Sequence, residues 1–188
     1  MSNKSDVSKN YINAEIEIKK DDINNNIRLI NSFEEYRREY LLIKNKNDYK
    51  YENEKEIKDK CKIIIINKQI PFSYNYNFNK EGKYNIQYSF TDNMTKLNHI
   101  FYECKCLTNI DLSNFNTQNA INMNYMFDRC KSLTNINFSN FNTQNVINMA
   151  FMFTECESLK NINLSSFNTQ NVNDMTGMFS FCYSSTKH

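Results

Sequence analysis

A 26-residue register runs through the second half of the chain and constrains its fold more than any other feature. Placing Leu107, Leu133 and Leu159 in one column aligns LTNIDLSNFNTQNAINMNYMFDRCKS with LTNINFSNFNTQNVINMAFMFTECES and LKNINLSSFNTQNVNDMTGMFSFCYS. Cys104, Cys130, Cys156 and Cys182 then share a column, as do Phe101, Phe127, Phe153 and Phe179. A weaker copy, YNIQYSFTDNMTKLNHIFYECK, matches through Tyr84, Ile86, Met94, Leu97, Ile100, Phe101 and Cys104. The array thus holds about three and a half units, and a unit this short can bury its apolar face only against its neighbours.

Each unit carries two hydrophobic periods. Leu107, Ile110 and Leu112 follow the L-x-x-I-x-L spacing of a short strand. After Asn119, Ala120, Met123, Met126, Phe127 and Cys130 step by three and four, which predicts one face of a short helix or 3₁₀ turn. Between them SNFNTQN is turn chemistry with Phe115 directed inward.

The region before Tyr84 is different material. Residues 1–60 hold 13 basic and 13 acidic residues, whereas 97–188 hold 5 and 6, which marks a composition boundary. YINAEIEIKK alternates like a strand, INSFEEYRREYLLIK has helical spacing, and NKNDYKYENEKEIKDK reads as a charged connector. CKIIIINKQIPFSYNYNF and GKYNIQYSF read as strands, with Gly82 at a turn between them. The expected organisation is a small α+β unit over 1–83, with disordered first residues, that covers the open edge of a repeat array over 84–188.

The formal net charge of +2 gives no electrostatic reason to expect nucleic acid as partner. No apolar run long enough to span a bilayer occurs, and the start MSNKSDVSKNYINAEIEIKK has no apolar core of a secretion signal. The expectation is therefore no membrane insertion and a cytoplasmic location, with the cell surface as alternative. Asn is abundant, and compositional drift explains a surplus as well as selection does, so lone Asn residues carry no weight.

At Leu107 to Cys130, Leu133 to Cys156 and Leu159 to Cys182, the pattern L-T-N-I-D-L-S-N-F-N-T-Q-N-x-x-x-M-x-x-M-F-x-x-C resembles the BspA-like leucine-rich repeat family. The resemblance covers about half of the chain. It implies an α/β solenoid, a right-handed leucine-rich-repeat-type array with one parallel strand and one short helical segment per repeat. It also implies the surface-protein habit of that family, whose members include bacterial adhesins, and it implies no catalytic residue. The chain departs from secreted members in lacking an export signal. The segment before Tyr84 resembles the unrepeated leader of some eukaryotic members.

Candidate sites reduce to one surface. The Cys column has no compact metal-ligand spacing and no accompanying His, so it reads as buried packing. The Met and Phe columns, Met123, Met149 and Met175 with Phe127, Phe153 and Phe179, read as core rather than a cofactor pocket. Asn119, Asn145 and Asn171 read as turn residues that satisfy neighbouring backbone. His99 and His188 are the only histidines, two Gly cannot form a phosphate-cradling loop, and Asp111 becomes Asn137 and Asn163, so no acid pair persists. No cofactor and no enzymatic activity are expected. The strand-face columns Thr108, Thr134, Lys160; Asp111, Asn137, Asn163; and Ser113, Ser139, Ser165 are polar and nearly constant. They form the candidate face for a protein partner in a non-enzymatic interaction module, or for an extracellular host or matrix component in an adhesin. The Ile162 and Leu164 segment has no later strand beside it, so self-association through that C-terminal edge is a further expectation.

Overall fold

In the computed structural model, residues 10–40 and 52–182 are described. The expected disorder of the first residues, and the parts of the helical and connector segments between 41 and 51, lie outside them. The elements in chain order are β1 (Tyr11–Ile18), a 3₁₀ turn (Lys20–Asp22), β2 (Asn26–Arg28), α1 (Phe33–Tyr40) and α2 (Glu54–Lys60). They are followed by β3 (Cys61–Ile65), β4 (Lys68–Ile70), β5 (Asn75–Asn77), β6 (Gly82–Phe90), β7 (Leu107–Asp111) and β8 (Asn135–Asn137).

The main sheet has six strands in the order β4-β3-β6-β1-β7-β8, and β2 pairs with β5 in a second sheet. Among these named strands pairing is antiparallel except for β7 with β8, where Ile110 stands opposite Ile136. Alternation drives the long strands. In β1, Ile12, Ala14, Ile16 and Ile18 are buried, and in β6 Ile86, Tyr88 and Phe90 are, so one face of the sheet meets the core. The β3–β4 hairpin turns on Ile66 and Asn67, both at positive φ, as a two-residue turn matched to strand twist requires.

This architecture overturns the expected α/β solenoid. The molecule is mostly β-sheet, a mixed six-stranded sheet with a two-stranded companion, and its two α-helices among the described residues both precede the repeats. The predicted helical segments fail for a local reason. His99, Tyr125, Phe151 and Gly177, and four positions later Glu103, Arg129, Glu155 and Phe181, have φ between 54° and 61°. A residue in the left-handed region at every fourth position interrupts a right-handed helix. The chain instead makes successive turns, closed by Met126 N–H to Met123 O at 3.3 Å and Cys130 N–H to Phe127 O at 3.1 Å. The third position of each, Tyr125 and Arg129, carries the positive φ that a type II turn needs. One strand per unit also fails, because Asn161, Ile162 and Asn163 lie outside any strand.

The charged connector is corrected as well, since its residues 54–60 form α2. Glu54 with Lys58 at 2.5 Å and Glu56 with Lys60 at 3.0 Å are i, i+4 pairs that favour a helix. Ile57 anchors it in the core, and the Glu34 carboxylate accepts the Asn53 and Glu54 amides at its start.

The 26-residue register nevertheless governs how the turns meet. The amides of Leu97, His99, Phe101 and Glu103 donate to the carbonyls of Asn122, Asn124, Met126 and Asp128 at 2.8–3.1 Å. Met123, Tyr125, Phe127 and Arg129 donate likewise to Asn148, Ala150, Met152 and Thr154, and Met149, Phe151, Phe153 and Glu155 to Asp174, Thr176, Met178 and Ser180. Inside this ladder the rings of Phe101, Phe127, Phe153 and Phe179 stack at 5.3–5.7 Å with interplanar angles of 2–10°. Met123, Met149, Met126 and Met152 fill the space around them with no exposure.

Candidate functional site

The outer face of the main sheet is concave, and β3, β6, β1, β7 and β8 floor a groove of about 690 Å³. Strand register sets its side chains in two rows. Pairing places Ile64 beside Gln87, Gln87 beside Asn13, Asn13 beside Asp111, and Asp111 beside Asn137. The second row runs Asn85, Glu15, Asn109, Asn135. The rows lie two residues apart along each strand, roughly 6.6 Å.

Hydrogen bonds tie neighbours within each row. Gln87 Nε2 donates to Asn13 Oδ1 at 3.1 Å, and Asn137 Nδ2 to Asp111 Oδ1 at 2.9 Å. In the second row Asn109 Nδ2 donates to Glu15 Oε1 and Asn135 Nδ2 to Asn109 Oδ1, both at 2.8 Å. Lys83 reaches Glu15 at 3.2 Å, and that hydrogen bond, aided by those from Asn109 and Thr108, holds the Glu15 carboxyl below its ordinary value. An ionised, well-partnered carboxylate suits binding rather than proton transfer.

The predicted face is distributed over this surface. Asp111 and Asn137 lie on the groove floor. Thr108 and Thr134 line a neighbouring depression of about 440 Å³ with Glu17, Lys19 and Lys83. Thr108 Oγ1 donates to the Glu15 carbonyl at 3.1 Å, and Thr134 Oγ1 to the Thr108 carbonyl at 3.0 Å. Ser113, Ser139 and Ser165 close turns, because Asp111, Asn137 and Asn163 each accept the amide two residues on at 3.0 Å. Lys160, Asn163 and Ser165 are exposed on the segment that forms no strand. Asn13, Glu15, Asn85 and Gln87 are groove residues on β1 and β6 that the three aligned repeats could not reveal, whereas Asn109 and Asn135 share a repeat column that the predicted face left out.

The columns set aside as structure have defined partners. The Cys130, Cys156 and Cys182 thiols donate to the carbonyls of Phe101, Phe127 and Phe153 at 2.9–3.1 Å, and all six cysteines are free. Burial pushes the Cys104 thiol up to about 12 and that of Cys130 well above the ordinary thiol value. Asn145 and Asn171 side chains donate to the carbonyls of Gln118 and Gln144. His99 is 2% exposed among the rings of Phe33, Tyr36, Tyr102 and Tyr125, and burial lowers it to about 3. Among the described residues, no cluster of three or more His, Cys, Asp or Glu could hold a metal ion, and no helix is long and apolar enough to cross a membrane.

Residues 71–188 fit the model of the family described as "Mycoplasma protein of unknown function, DUF285". The chain belongs to the DUF285 family. That match replaces the assignment to BspA-like leucine-rich repeats, and with it the leucine-rich repeat and surface-protein labels, because no BspA-like family is found. The DUF285 region starts at Pro71 and so takes in β5 and β6 as well as the repeats, whereas β1 to β4 lie outside it. No curated protein and no solved structure matches the chain.

Proposed function

We propose that this DUF285 chain is a non-enzymatic protein-binding module whose concave sheet face receives a protein partner. The observation that carries the reading is the groove of two amide-rich rows. Each Asn or Gln side chain offers both a donor and an acceptor, the same pair that a peptide group presents, so rows of them match polypeptide surface better than a charged polymer or an apolar ligand. Glu15 and Asp111 add acceptors for partner N–H groups or cations. The buried thiols act as S–H donors, a role that needs them reduced, which supports a reducing, cytoplasmic setting.

Photoactivatable side chains at Gln87 and Asn137, compared with the same probe at exposed Ile121 and Ile147 outside the groove, test the reading in cells. Adducts with one and the same protein from both groove positions are expected, lost when Asn109→Arg blocks the floor. Adducts confined to Ile121 and Ile147 would overturn it.

A further inference from the structure

The side-chain hydrogen bonds on the groove floor run towards two carboxylates. From the β8 side Asn137 donates to Asp111, and Asn135 donates to Asn109, which donates in turn to Glu15. These bonds, with those from the Ser113 amide, Thr108 and Lys83, all fall on Asp111 Oδ1 and Glu15 Oε1. Among the described residues nothing donates to Asp111 Oδ2 or Glu15 Oε2, nor to Asn135 Oδ1 or Gln87 Oε1 in the same two rows. Charge follows the same pattern. Glu15 and Asp111 are the only charged residues that line the groove, and Lys83 reaches Glu15 from outside that lining, on the oxygen already bonded. Register makes the two carboxylates diagonal neighbours on β1 and β7, with α-carbons roughly 7–8 Å apart. The combination arises only where β1 meets the first full unit, because the column that holds Asp111 holds Asn137 and Asn163 in the later ones.

We propose that the protein partner of the groove, whose existence rests on the function proposed above, inserts an arginine side chain between Glu15 and Asp111. A guanidinium carries five N–H donors in a fixed planar fork and one positive charge. It can therefore bond the outer oxygens of two carboxylates set a diagonal apart and keep donors for a neighbouring amide oxygen. A lysine ammonium, a compact and strongly hydrated point charge, matches such spread acceptors less well. A bare metal ion needs a tighter set of ligands, and among the described residues no cluster of three or more His, Cys, Asp or Glu could hold one. On either side of the arginine the partner segment is polar and uncharged, since the rest of the lining offers amides and aliphatic carbon.

The probes are end-blocked heptapeptides, Ser-Thr-Ala-X-Ala-Thr-Ser, with arginine, lysine or the neutral isostere citrulline at X. Each is titrated into the labelled full chain under reducing conditions, and the side-chain amide signals of Asn109, Asn135 and Asn137 are followed by NMR. The arginine peptide should shift them saturably. The citrulline peptide should bind about tenfold more weakly, the fold-change of one lost charge-assisted bond, with the lysine peptide between the two. Glu15→Gln and Asp111→Asn should each cost the arginine peptide about tenfold and leave the citrulline peptide unaltered. Both variants keep an oxygen to accept from Asn109, or from Asn137 and Ser113, as Asn137 itself does from Ser139, so the fold is retained. Glu157→Gln, at a side chain 51% exposed outside the groove, is the charge-matched control and should change nothing. Equal binding of the arginine and citrulline peptides, a lysine peptide as tight as the arginine one, or an unaltered affinity in both variants would overturn the arginine and leave the groove reading standing. Calcium or spermidine alone producing the same saturable shifts would overturn it in favour of a small-cation site. No shift from any peptide would overturn it as well, and the photoadducts at Gln87 and Asn137 then judge the groove reading on their own.

Discussion

Asn53 offers a test of how the N-terminal region is tied to the repeats. Its side chain is 2% exposed and makes bonds in both directions: Oδ1 accepts the Phe33 amide at 2.9 Å, and Nδ2 donates to the carbonyls of Asn98 and Lys96. Asn53→Ala strands the Phe33 amide and the Asn98 carbonyl in the interior. Each buried group left unpaired costs about 1–3 kcal/mol, so a total near 3 kcal/mol is expected after partial relaxation. Asn53→Asp separates two explanations. Asn53 also stands at the N-cap of α2 but makes no capping hydrogen bond there, and at a true N-cap Asp and Asn are equivalent. Here the carboxylate would still accept from Phe33 but would turn an oxygen towards two carbonyls, so Asp should be worse than Ala at pH 7. Urea unfolding followed by circular dichroism measures both; with a slope of roughly 2–3 kcal/mol/M, Asn53→Ala should move the midpoint down by about 1 M. An Asp variant as stable as the parent would refute the reasoning.

Two further outcomes are expected. Burial pushes the Asp128 carboxyl from 3.8 to about 7, against the pull of Arg129, and one of its oxygens finds no partner among the described residues. Between those two values the folded chain holds the proton that the unfolded chain has released, so this residue makes stability fall as pH rises; Asp128→Asn should remove that slope and gain about 2–4 kcal/mol at pH 8, and equal variant and parent stabilities from pH 4 to 8 would contradict it. His99 acts with the opposite sign, losing stability as pH falls from 6.5 towards 3, which is why the difference between variant and parent is the quantity to measure. Ile66 is 70% exposed at φ 50°, a conformation that costs a β-branched residue about 1–2 kcal/mol; Ile66→Asn should stabilise the hairpin by about 1 kcal/mol, read as a raised urea midpoint.

The register of the repeats, the columns that fill the core and the strand character of YINAEIEIKK and GKYNIQYSF were legible in the sequence because each rests on a local period. The helical reading failed because Met123, Met126, Phe127 and Cys130 fit successive four-residue turns as well as a helical face, and two turns are too few for 4.0 and 3.6 to diverge. The discriminating signal lay in the asparagines given no weight. Asn116, Asn122 and Asn137 each accept the amide two residues on, and Asn142, Asn148 and Asn163 repeat the pattern, so every unit is pinned by side chains that mimic turns. Antiparallel insertion of β1 between β6 and β7 had no local signature. It pairs Glu15 with Asn85 and Asn109, partners 70 and 94 positions away, and so half the groove stayed hidden.

That insertion gives the N-terminal region two separable roles. Asn31 and Asn53 supply donors to the carbonyls of Lys96, Asn98, Ile100 and Tyr102, whereas the following unit reaches only the neighbouring Thr95 carbonyl, through the Ile121 amide, among the described residues. Asn13 and Glu15, on the outward face of β1, complete the two rows that Asp111, Asn137, Asn109 and Asn135 begin. A loss at Asn53 acts on the joint between turn ladder and N-terminal region and lowers stability. A charge at Asn13, whose side chain accepts from Gln87 on the groove floor, alters the surface and spares the core. The position of β1 determines that the binding face belongs to both halves of the chain, so neither the repeats nor the N-terminal strands alone present the groove.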